Sequence, residues 1–310
     1  MIPPIEGVEE VDYWTSKEAL NPDSQPESII MVGGGYISME LAHFYDAMGA
    51  EVTILERGGK LLKREDNEVS NKITEIAEER YDVNLGVSAT KLSEEGDQKI
   101  VRAEKDGEEV EFSADEILMA TGRVPNSDRL DVEEAGIETT ERGFIETDEK
   151  MKTSVEGVYA LGDIADNWMF KHSANEEASV VYKNIVSGDQ YELEYTDMPH
   201  AVFTSPQIAG IGKTEQQLEE SGDDYVSAAY DYADTGMGGA LKEEDGFVKV
   251  LASEDGEILG CHIIGPAASQ LIHEVLVVIE SGSGNVQDIK DTVHIHPALN
   301  EVVDRAFSQL

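Results

Sequence analysis

A triplet of glycines between an apolar strand and a helix is the feature that most constrains how this chain can fold. Residues 28–32 form an apolar run, Gly33-Gly34-Gly35 follow, and residues 39–48 carry apolar side chains at helical spacing. A second apolar run, residues 51–55, ends on an acid, Glu56. Strand, glycine turn, helix and strand in this order predict a parallel βαβ unit of the Rossmann type.

The positions of the glycines suit a bound dinucleotide. Gly33 permits a tight turn, and Gly35 lets the backbone approach a pyrophosphate. The helix that follows directs free N–H groups and its positive dipole end at the phosphates. Ser38 lies where close helix–strand packing requires a small side chain. An ordinary βα turn that binds nothing is the alternative, but an acid 21 residues after Gly35 favours a dinucleotide.

The acid at the end of the second strand indicates which nucleotide binds. Glu56 can accept hydrogen bonds from both ribose hydroxyls of NAD, and it would repel the 2′-phosphate of NADP. Arg57 has the opposite effect, because an arginine can pair with that phosphate. We therefore expect NAD, with NADP as the alternative.

The rest of the chain predicts an α/β half followed by an α+β half. In the first half we expect helices over 67–80 and 174–186, a β-meander over about 83–112 and a strand over 115–120. In the second half we expect short strands over 201–204, 207–212, 226–233, 246–252 and 257–265, and then two helices, the first over 267–280. Strands followed by helices are typical of an α+β domain. The apolar face of helix 267–280 belongs to the core, to a dimer seam, or to both.

The charge of the chain argues against several classes of partner. Sixty-five Asp and Glu residues face 23 Lys and Arg, which gives a formal net charge of −42. This excess disfavours nucleic acid and an anionic membrane surface. The acids are spread along the whole chain, so we interpret them as a solvated surface adapted to high salt, which screens their repulsion. No apolar run is long enough to span a bilayer, so we expect a cytoplasmic protein, and no metal site is predicted.

A single cysteine limits the redox chemistry that this chain can supply. Cys261 stands alone, so the chain contains no dithiol and no internal disulfide. Its neighbours, residues 259–265, have the pattern of a buried strand. We interpret Cys261 as a structural thiol.

A histidine near the C-terminus has the neighbours of a general acid–base. His296 directly precedes Pro297, which suits the first position of a helix, and Glu301 would lie about one turn later. A carboxylate that reaches back to the imidazole would fix its tautomer and stabilise the imidazolium. For His294, two residues earlier, we expect a buried or capping role.

Four motifs in order resemble the pyridine nucleotide-disulfide oxidoreductases, the flavoenzyme family that includes dihydrolipoyl dehydrogenase, glutathione reductase, mycothione reductase and mercuric reductase. The motifs are VGGGYISME at 32–40, ATGRVPN at 120–126, YALGDIA at 159–165 and HIHPALNE at 294–301. They cover nearly the whole chain at about the family's spacing. The resemblance implies a Rossmann-like NAD-binding domain, part of an FAD-binding domain and a C-terminal α+β dimerisation domain.

The resemblance also implies roles for individual residues. It assigns the pyridine nucleotide site to Gly33, Gly34, Gly35, Tyr36, Ile37, Ser38, Glu40, Glu56, Arg57 and Gly122. It assigns the FAD site to Gly162, Asp163, Met169, Phe170, Lys171 and His172, with Asp163 at the end of a short strand and against the ribityl chain. The family has glycine where this chain has Ser38. His296 and Glu301 are the implied catalytic pair, which acts on the dithiol of the other subunit of a homodimer.

The resemblance implies four segments and an incomplete FAD domain. Residues 1–25 end the FAD-binding domain, 26–125 bind the nucleotide, 126–195 return to the FAD-binding domain, and 196–310 form the dimerisation domain. The family begins with its own FAD-binding glycine turn and two redox cysteines, and neither is present in these residues. Three explanations for their absence are open. These residues are a fragment of a longer protein, the missing part is a separate polypeptide, or the chain is a degenerate relative that only binds nucleotide or dimerises. We expect no disulfide reductase turnover from this chain alone.

For the substrate, the resemblance leaves a first choice and alternatives. NAD-linked oxidation of dihydrolipoamide, free or on a lipoyl domain, is expected first because Glu56 suits NAD. A reductase of a low-molecular-weight thiol disulfide, as in mycothione reductase, is the runner-up. A module that binds nucleotide or dimerises without catalysis, and a flavin-free Rossmann dehydrogenase, are the alternatives from other classes.

Overall fold

The structure is a computed structural model that describes residues 1–188, 190–193 and 197–310. The chain divides into two compact units. The larger contains residues 2–121 and 199–310, and the smaller contains Met1 and residues 122–198. The predicted boundary between residues 195 and 196 lies outside the described residues, and the division into four domains remains a prediction.

The regular elements of the described residues are as follows. The strands are β1 (Ser28–Val32), β2 (Glu51–Glu56), β3 (Asp82–Leu85), β4 (Val87–Glu95), β5 (Gln98–Lys105), β6 (Glu108–Ala114), β7 (Glu116–Met119), β8 (His200–Val202), β9 (Ile208–Gly212), β10 (Val226–Asp231), β11 (Phe247–Ala252) and β12 (Ile258–Ile264). The helices are α1 (Ser16–Ala19), α2 (Tyr36–Ala47), α3 (Asn67–Arg80), α4 (Lys171–Ser187), α5 (Glu215–Ser221), α6 (Gly236–Leu241), α7 (Ala268–Ser281), α8 (Val286–Lys290) and α9 (Glu301–Phe307).

A parallel sheet in the order β3-β2-β1-β7 forms the first part of the larger unit. Helix α2 connects β1 to β2 and therefore completes the predicted βαβ crossover. It begins at Tyr36, three residues before the predicted start, because Gly35 has extended backbone angles and its carbonyl accepts the first helical hydrogen bond from Met39.

The β-meander is shorter than predicted. Residues from about 83 were expected to begin it, but β3 instead pairs with β2 in the parallel sheet, where Val83 and Leu85 pack against the core. The antiparallel sheet that remains has the order β4-β5-β6. Tertiary packing of two apolar side chains therefore overrides the local continuity of the strand pattern.

A five-stranded sheet in the order β10-β11-β12-β9-β8 forms the second part of the larger unit. Three helices follow β12 rather than the predicted two, because the short α8 lies between α7 and α9. Helices α5 and α6 were not predicted. The Thr214–Gln217 capping box was a detectable signal for α5, whereas α6 contains three glycines. The predicted α+β class of this half, and the fold class as a whole, are confirmed.

The smaller unit contains one long helix and little regular strand. Its α4 begins at Lys171, three residues earlier than predicted, and ends at Gly188 in the left-handed conformation (φ 70°). The motif around Gly162 was predicted to end a short strand. It instead forms a 3₁₀ turn over Gly162–Ile164. The glycine has φ 75°, which a strand end does not accommodate.

Candidate active site

The glycine turn has a backbone that only glycine can adopt at its first position. Gly33 has φ 113°, and a Cβ at this position would lie 2.7 Å from the carbonyl oxygen of Ala120 on the neighbouring chain segment. The Gly33 N–H donates to the carbonyl of Leu55 at 2.8 Å. The turn is therefore held between the carboxyl ends of β2 and β7.

The third position of the turn leaves open space in front of a helix. Gly35 is the N-cap of α2, and a Cβ on it would meet no atom within 4 Å. No side chain caps this end of α2, and its first turn contains no acid. Tyr36 is exposed and Ile37 is half-buried. Uncapped N–H groups beside open space fit the pyrophosphate of a dinucleotide.

Ser38, at the small-residue position of the motif, is completely buried. Its Oγ has no hydrogen-bond partner among the described residues. A glycine at this position has no hydroxyl. The serine of this chain therefore places a polar atom in the helix–strand contact.

The Glu56 side chain is held in place by two backbone N–H groups. Its Oε2 accepts a hydrogen bond from the Gly34 N–H, and its Oε1 accepts one from the Gly58 N–H, both at 2.6 Å. Each carboxylate oxygen has a second lone pair, so the ribose hydroxyls of NAD remain acceptable donors. Residue spacing indicated Glu56 but not the two backbone amides that orient it.

A run of cations follows Glu56 in this strongly acidic chain. Arg57, Lys60, Lys63 and Arg64 lie within eight positions, and among the described residues none of them forms an ion pair with a carboxylate. Lys60 donates to the side chain of Asn67. These charges favour an anion beside Glu56, so the NADP alternative keeps physical support.

Glu40, which the resemblance places near the nicotinamide, is held by the C-terminal half of the larger unit. Its Oε1 accepts a hydrogen bond from the backbone N–H of Phe203 at 2.9 Å. Phe203 directly follows β8. The carboxylate is thus oriented by a residue 163 positions away, which no local pattern indicates.

Two glycine substitutions separate folding from nucleotide binding. We expect Gly35→Ala to fold normally, because its φ of −86° suits alanine and the space is open, but the methyl group would keep a phosphate away from the N–H groups of α2. Loss of one hydrogen bond to a charged group costs about 1.5–3 kcal/mol, so NADH affinity should fall about tenfold to a hundredfold. Titration of NADH into the chain with a fluorescence readout measures this.

Gly33→Ala is the matched comparison. Its left-handed backbone and the contact with Ala120 predict a loss of about 1–3 kcal/mol in the free energy of unfolding. A Gly35→Ala variant that binds NADH as tightly as the parent chain would remove this turn from the nucleotide site.

The histidine–glutamate pair near the C-terminus is formed and exposed. His296 Nδ1 lies 2.9 Å from Glu301 Oε1, and because a carboxylate only accepts, Nδ1 carries the proton. Glu301 Oε2 accepts a hydrogen bond from the Ala298 N–H at 3.2 Å. These hydrogen bonds, first from His296 and then from Ala298, lower the pKa of Glu301. The His296 side chain is 73% exposed, and its Nε2 has no partner among the described residues.

The local structure around this pair differs from the prediction in one respect. Pro297 does not begin a helix, because α9 starts four residues later at Glu301, and Asn300 is its N-cap. The intervening residues form turns, in which the Glu301 N–H donates to the Ala298 carbonyl. Gly236, the first residue of α6, was not predicted as part of the site. A Cβ on Gly236 would lie 3.3 Å from His296 Cε1, so a larger residue would crowd the ring.

His294 is half-buried, with most of its side chain covered, and its contacts bring in two further residues. Its side chain is 9% exposed and contacts Glu274, which also binds Asn300. Neither Glu274 nor Asn300 was predicted as a site residue. A lone carboxylate within the apolar face of α7 was the signal that could have indicated Glu274.

The smaller unit contains the residues that the resemblance assigns to FAD. Asp163 forms an ion pair with Arg123 at 2.8 Å, and both side chains are exposed. Gly162 donates its N–H to the buried carboxylate of Glu177. Arg123 and Glu177 were not predicted as site residues. Gly122 has φ 123°, which favours glycine.

The segment that enters α4 carries an aromatic surface. The rings of Phe170 and His172 stack with centroids 5.1 Å apart and planes 9° apart. Phe170 is the N-cap of α4, and no side chain caps the helix there. Met169 is half-buried, and Lys171 donates to Asn175. A flat partly exposed surface beside an uncapped helix end fits a flavin ring and its electron-rich edge.

Cys261 lies on β12 and is completely buried, and burial raises the pKa of its thiol. It is therefore unsuited to thiolate chemistry. In the part of the chain that the structure describes, no three His, Cys, Asp or Glu side chains are grouped so that they could hold a metal ion. Over the same residues, no helix is long and apolar enough to cross a membrane.

A parallel sheet with an open glycine turn, joined to a sheet domain that presents an imidazole–carboxylate pair, is the arrangement of a nucleotide-dependent oxidoreductase. Residues 1–178 match the pyridine nucleotide-disulphide oxidoreductase family, and residues 198–307 match the dimerisation domain of that family. The chain belongs to the pyridine nucleotide-disulphide oxidoreductase family, as the four motifs predicted.

Individual relatives agree with this assignment. A dihydrolipoyl dehydrogenase from Haloferax volcanii is 39% identical over an alignment of 297 residues that covers 94% of this chain and 62% of the relative. A mycothione reductase from Mycobacterium tuberculosis is 37% identical over an alignment of 313 residues that covers 99% of this chain and 67% of the relative. Among solved structures, a Cu(II) complex of the HOCl-induced flavoprotein disulfide reductase RclA from Escherichia coli superposes with a TM-score of 0.92 at 26% identity, over 100% of this chain and 70% of that one. The chain thus spans about three fifths of the length of the dihydrolipoyl dehydrogenases that it matches.

Proposed function

We propose that residues 1–310 form the nucleotide-binding and dimerisation part of an FAD-dependent dihydrolipoyl dehydrogenase. The observation that carries this proposal is the exposed His296–Glu301 pair, which belongs to the same compact unit as the open glycine turn at Gly33–Gly35. Similarity to dihydrolipoyl dehydrogenases at 36–39% identity supports the choice of substrate. A cytoplasmic location and a high-salt habitat remain predictions.

In the proposed reaction, dihydrolipoamide and NAD⁺ give lipoamide, NADH and a proton. Two S–H bonds break, one S–S bond forms, two electrons and a proton pass to the nicotinamide as a hydride equivalent, and the second proton is released. Sulfur attacks as the thiolate, so a group must take the thiol proton. His296 suits this step, because Nε2 is free while Glu301 holds Nδ1–H and would stabilise the imidazolium.

We propose that His296 serves the dithiol of a second subunit. The one cysteine of this chain is buried, so its own residues supply no redox dithiol. His296 lies on a segment of the dimerisation domain in which two preceding apolar residues, Val293 and Ile295, are exposed. An exposed apolar segment with a catalytic imidazole is suited to a subunit boundary. We therefore propose a homodimer.

Two cofactors fit the residues that are present. Gly33 to Ser38 would hold the pyrophosphate of NAD, and Glu56 would accept its ribose hydroxyls. Asp163 and the stacked rings of Phe170 and His172 would hold the ribityl chain and the ring of FAD. When bound, the flavin supplies the two-electron link between sulfur and nicotinamide.

Steady-state rates with the flavin-loaded native protein in high salt test the proposal. We expect dihydrolipoamide with NAD⁺ to give the largest kcat/KM, and NADPH to be a poorer reductant of lipoamide than NADH. The isolated 310-residue chain should bind NADH but reduce no disulfide. Turnover of lipoamide by that chain alone would contradict the proposal. So would a flavin-loaded native protein that shows no activity with lipoamide or dihydrolipoamide, whether free or on a lipoyl domain.

The second candidate is a reductase of a low-molecular-weight thiol disulfide. The run of four cations beside Glu56 favours it, because reductases that draw on NADPH need positive charge for the 2′-phosphate. Preference for NADPH together with a small thiol disulfide in the same assays would select this candidate.

A further inference from the structure

The segment that carries His296 is held by side chains. Among the described residues, no backbone–backbone hydrogen bond involves residues 293–297. Val293 and Ile295 are exposed, as is His296 itself. Such a segment would sample many backbone conformations unless side chains at its ends restrain it. The precision with which the imidazole of His296 is positioned therefore depends on those restraints.

His294 provides the restraint at the start of the segment. Its Nδ1 lies 3.0 Å from the Thr292 carbonyl oxygen, and its Nε2 contacts Glu274 Oε1 on α7. Both partners are acceptors, and a neutral imidazole can donate to only one of them. A protonated His294 donates to both, and Asp304 Oδ1, 4.0 Å from Nδ1, adds negative charge nearby. The ring is thus suited to a charge-assisted contact with Glu274.

The same carboxylate provides the restraint at the end of the segment. The Asn300 side-chain N–H donates to Glu274 Oε2 at 2.8 Å. Asn300 is the N-cap residue of α9, yet it makes no capping hydrogen bond with its side chain. Asparagine is among the best capping residues, because its side-chain oxygen can accept a hydrogen bond from a helix N–H. The Asn300 side chain makes no such bond and instead directs its N–H group at Glu274. Glu301, the next residue, holds His296.

We propose that Glu274 is a positioning residue for the proposed acid–base reaction. One carboxylate on a rigid helix holds both ends of the segment 294–300, and His296 lies between these two contacts. Among the described residues, the Glu274 carboxylate bonds to His294 and Asn300 and not to His296. It acts by fixing where His296 Nε2 points. This inference rests on the proposed function only for its effect on turnover, because the position of the imidazole is measurable without it.

Glu274→Gln tests the positioning role with little change in volume. The glutamine amide can present its oxygen to one partner, but its NH₂ group meets a donor at the other. In the chain of 310 residues, we expect the NMR resonances of the His296 ring, assigned with His296→Gln, to broaden or double. In the flavin-loaded native protein, we expect kcat to fall about tenfold to a hundredfold, as for a reacting group displaced by about 1 Å, with KM for NAD⁺ changed less than about twofold.

Glu254→Gln is the matched control, because Glu254 is an exposed acid in the β11–β12 turn and the same charge is lost there. A double-mutant cycle of Glu274→Gln with His294→Asn should show strong non-additivity in kcat. Asn300→Ala, which removes a single contact, gives a smaller effect and guards against misfolding of the other variants. Sharp parental His296 resonances in Glu274→Gln would overturn the positioning role, whatever the turnover. Displaced resonances with unchanged kcat would instead count against the proposed function.

Discussion

Replacement of His296 by glutamine should lower kcat/KM for dihydrolipoamide about 10²- to 10⁴-fold, the range that general acid–base groups contribute. Glutamine keeps the size and polarity of the side chain but cannot take a proton from a thiol at neutral pH. The proposed nucleotide site is at the glycine turn and does not include His296, so NADH affinity should remain within about twofold of the parent value. Stopped-flow reduction of the flavin by dihydrolipoamide and NADH titrations measure the two effects.

The contribution of Glu301 has a defined pH dependence. Its pKa is lowered in the folded protein, with the hydrogen bond from His296 as the first cause and that from Ala298 as the second. A lowered pKa means that the contribution is present above the ordinary glutamate value of about 4.3 and is lost as pH falls through the folded value. The pair is therefore intact throughout neutral conditions. Glu301→Gln should reduce kcat less than His296→Gln does, because Nδ1–H can still donate to an amide oxygen.

His273→Gln is a suitable control for His296→Gln. His273 is an exposed histidine on α7, so its replacement removes one imidazole without touching the pair. This variant should retain the parental rates. A His296→Gln enzyme with a kcat within twofold of the parent would remove the imidazole from the reaction.

Replacement of Lys249 by methionine should destabilise the larger unit by about 3–5 kcal/mol, the cost of breaking a buried ion pair from one side. Lys249 lies on β11 with its side chain 2% exposed, and its Nζ contacts Asp66 at 2.9 Å, Glu68 at 2.9 Å and Glu215 at 2.6 Å. Methionine fills similar space but leaves these carboxylates facing one another. Urea unfolding in a fixed high salt concentration measures the change, since salt screens exposed pairs more than buried ones.

Asp66 makes this cluster more than a single ion pair. Its side chain is completely buried, caps α3 through the Glu68 N–H and accepts a second hydrogen bond from the Glu215 N–H. It therefore links the parallel sheet, through α3, to α5 and the five-stranded sheet. Loss of Lys249 should loosen this connection within the larger unit. Lys213→Met, at an exposed pair with Asp223, is the matched control and should change the unfolding midpoint little.

The cluster also predicts how acid and base affect stability. Burial opposes the charged form of each group, but hydrogen bonds outweigh it, so the pKa values of Asp66 and Glu215 are lowered and that of Lys249 is raised. The carboxylates contribute above their ordinary values of about 4 and lose that contribution as pH falls through the folded values. The lysine contributes below about 10.4 and loses its contribution as pH rises through its folded value. The carboxylates that face one another in Lys249→Met lose their repulsion when they are protonated, so the destabilisation by this substitution should shrink as the pH falls through the folded pKa values of Asp66 and Glu215. A destabilisation of the same size at neutral and acid pH would show that these carboxylates contribute little to it.

The geometry of the glycine turn and of the His296–Glu301 pair was predictable because each is local in the chain. Residues 28–56 contain a complete strand, turn, helix and strand, and His296 and Glu301 are five positions apart. Backbone sterics and hydrogen-bond reach act over these separations, so residue types and spacing carry the information. The errors at this level were small, such as the start of α2 at Tyr36.

Long-range packing decided the features that the sequence left open. Residues 82–85 joined the parallel sheet because their side chains found a core there, although their pattern is that of any short strand. Lys249 reads as an ordinary charge on a strand, yet it lies buried against an aspartate 183 positions earlier. Glu274 acquires its role only because His294 and Asn300 fold onto it. The amino-acid sequence by itself determined the chemistry that is available and the local geometry that presents it. The tertiary structure alone decided which charged groups meet, because the free energy of such contacts depends on distance and burial in space rather than on separation along the chain.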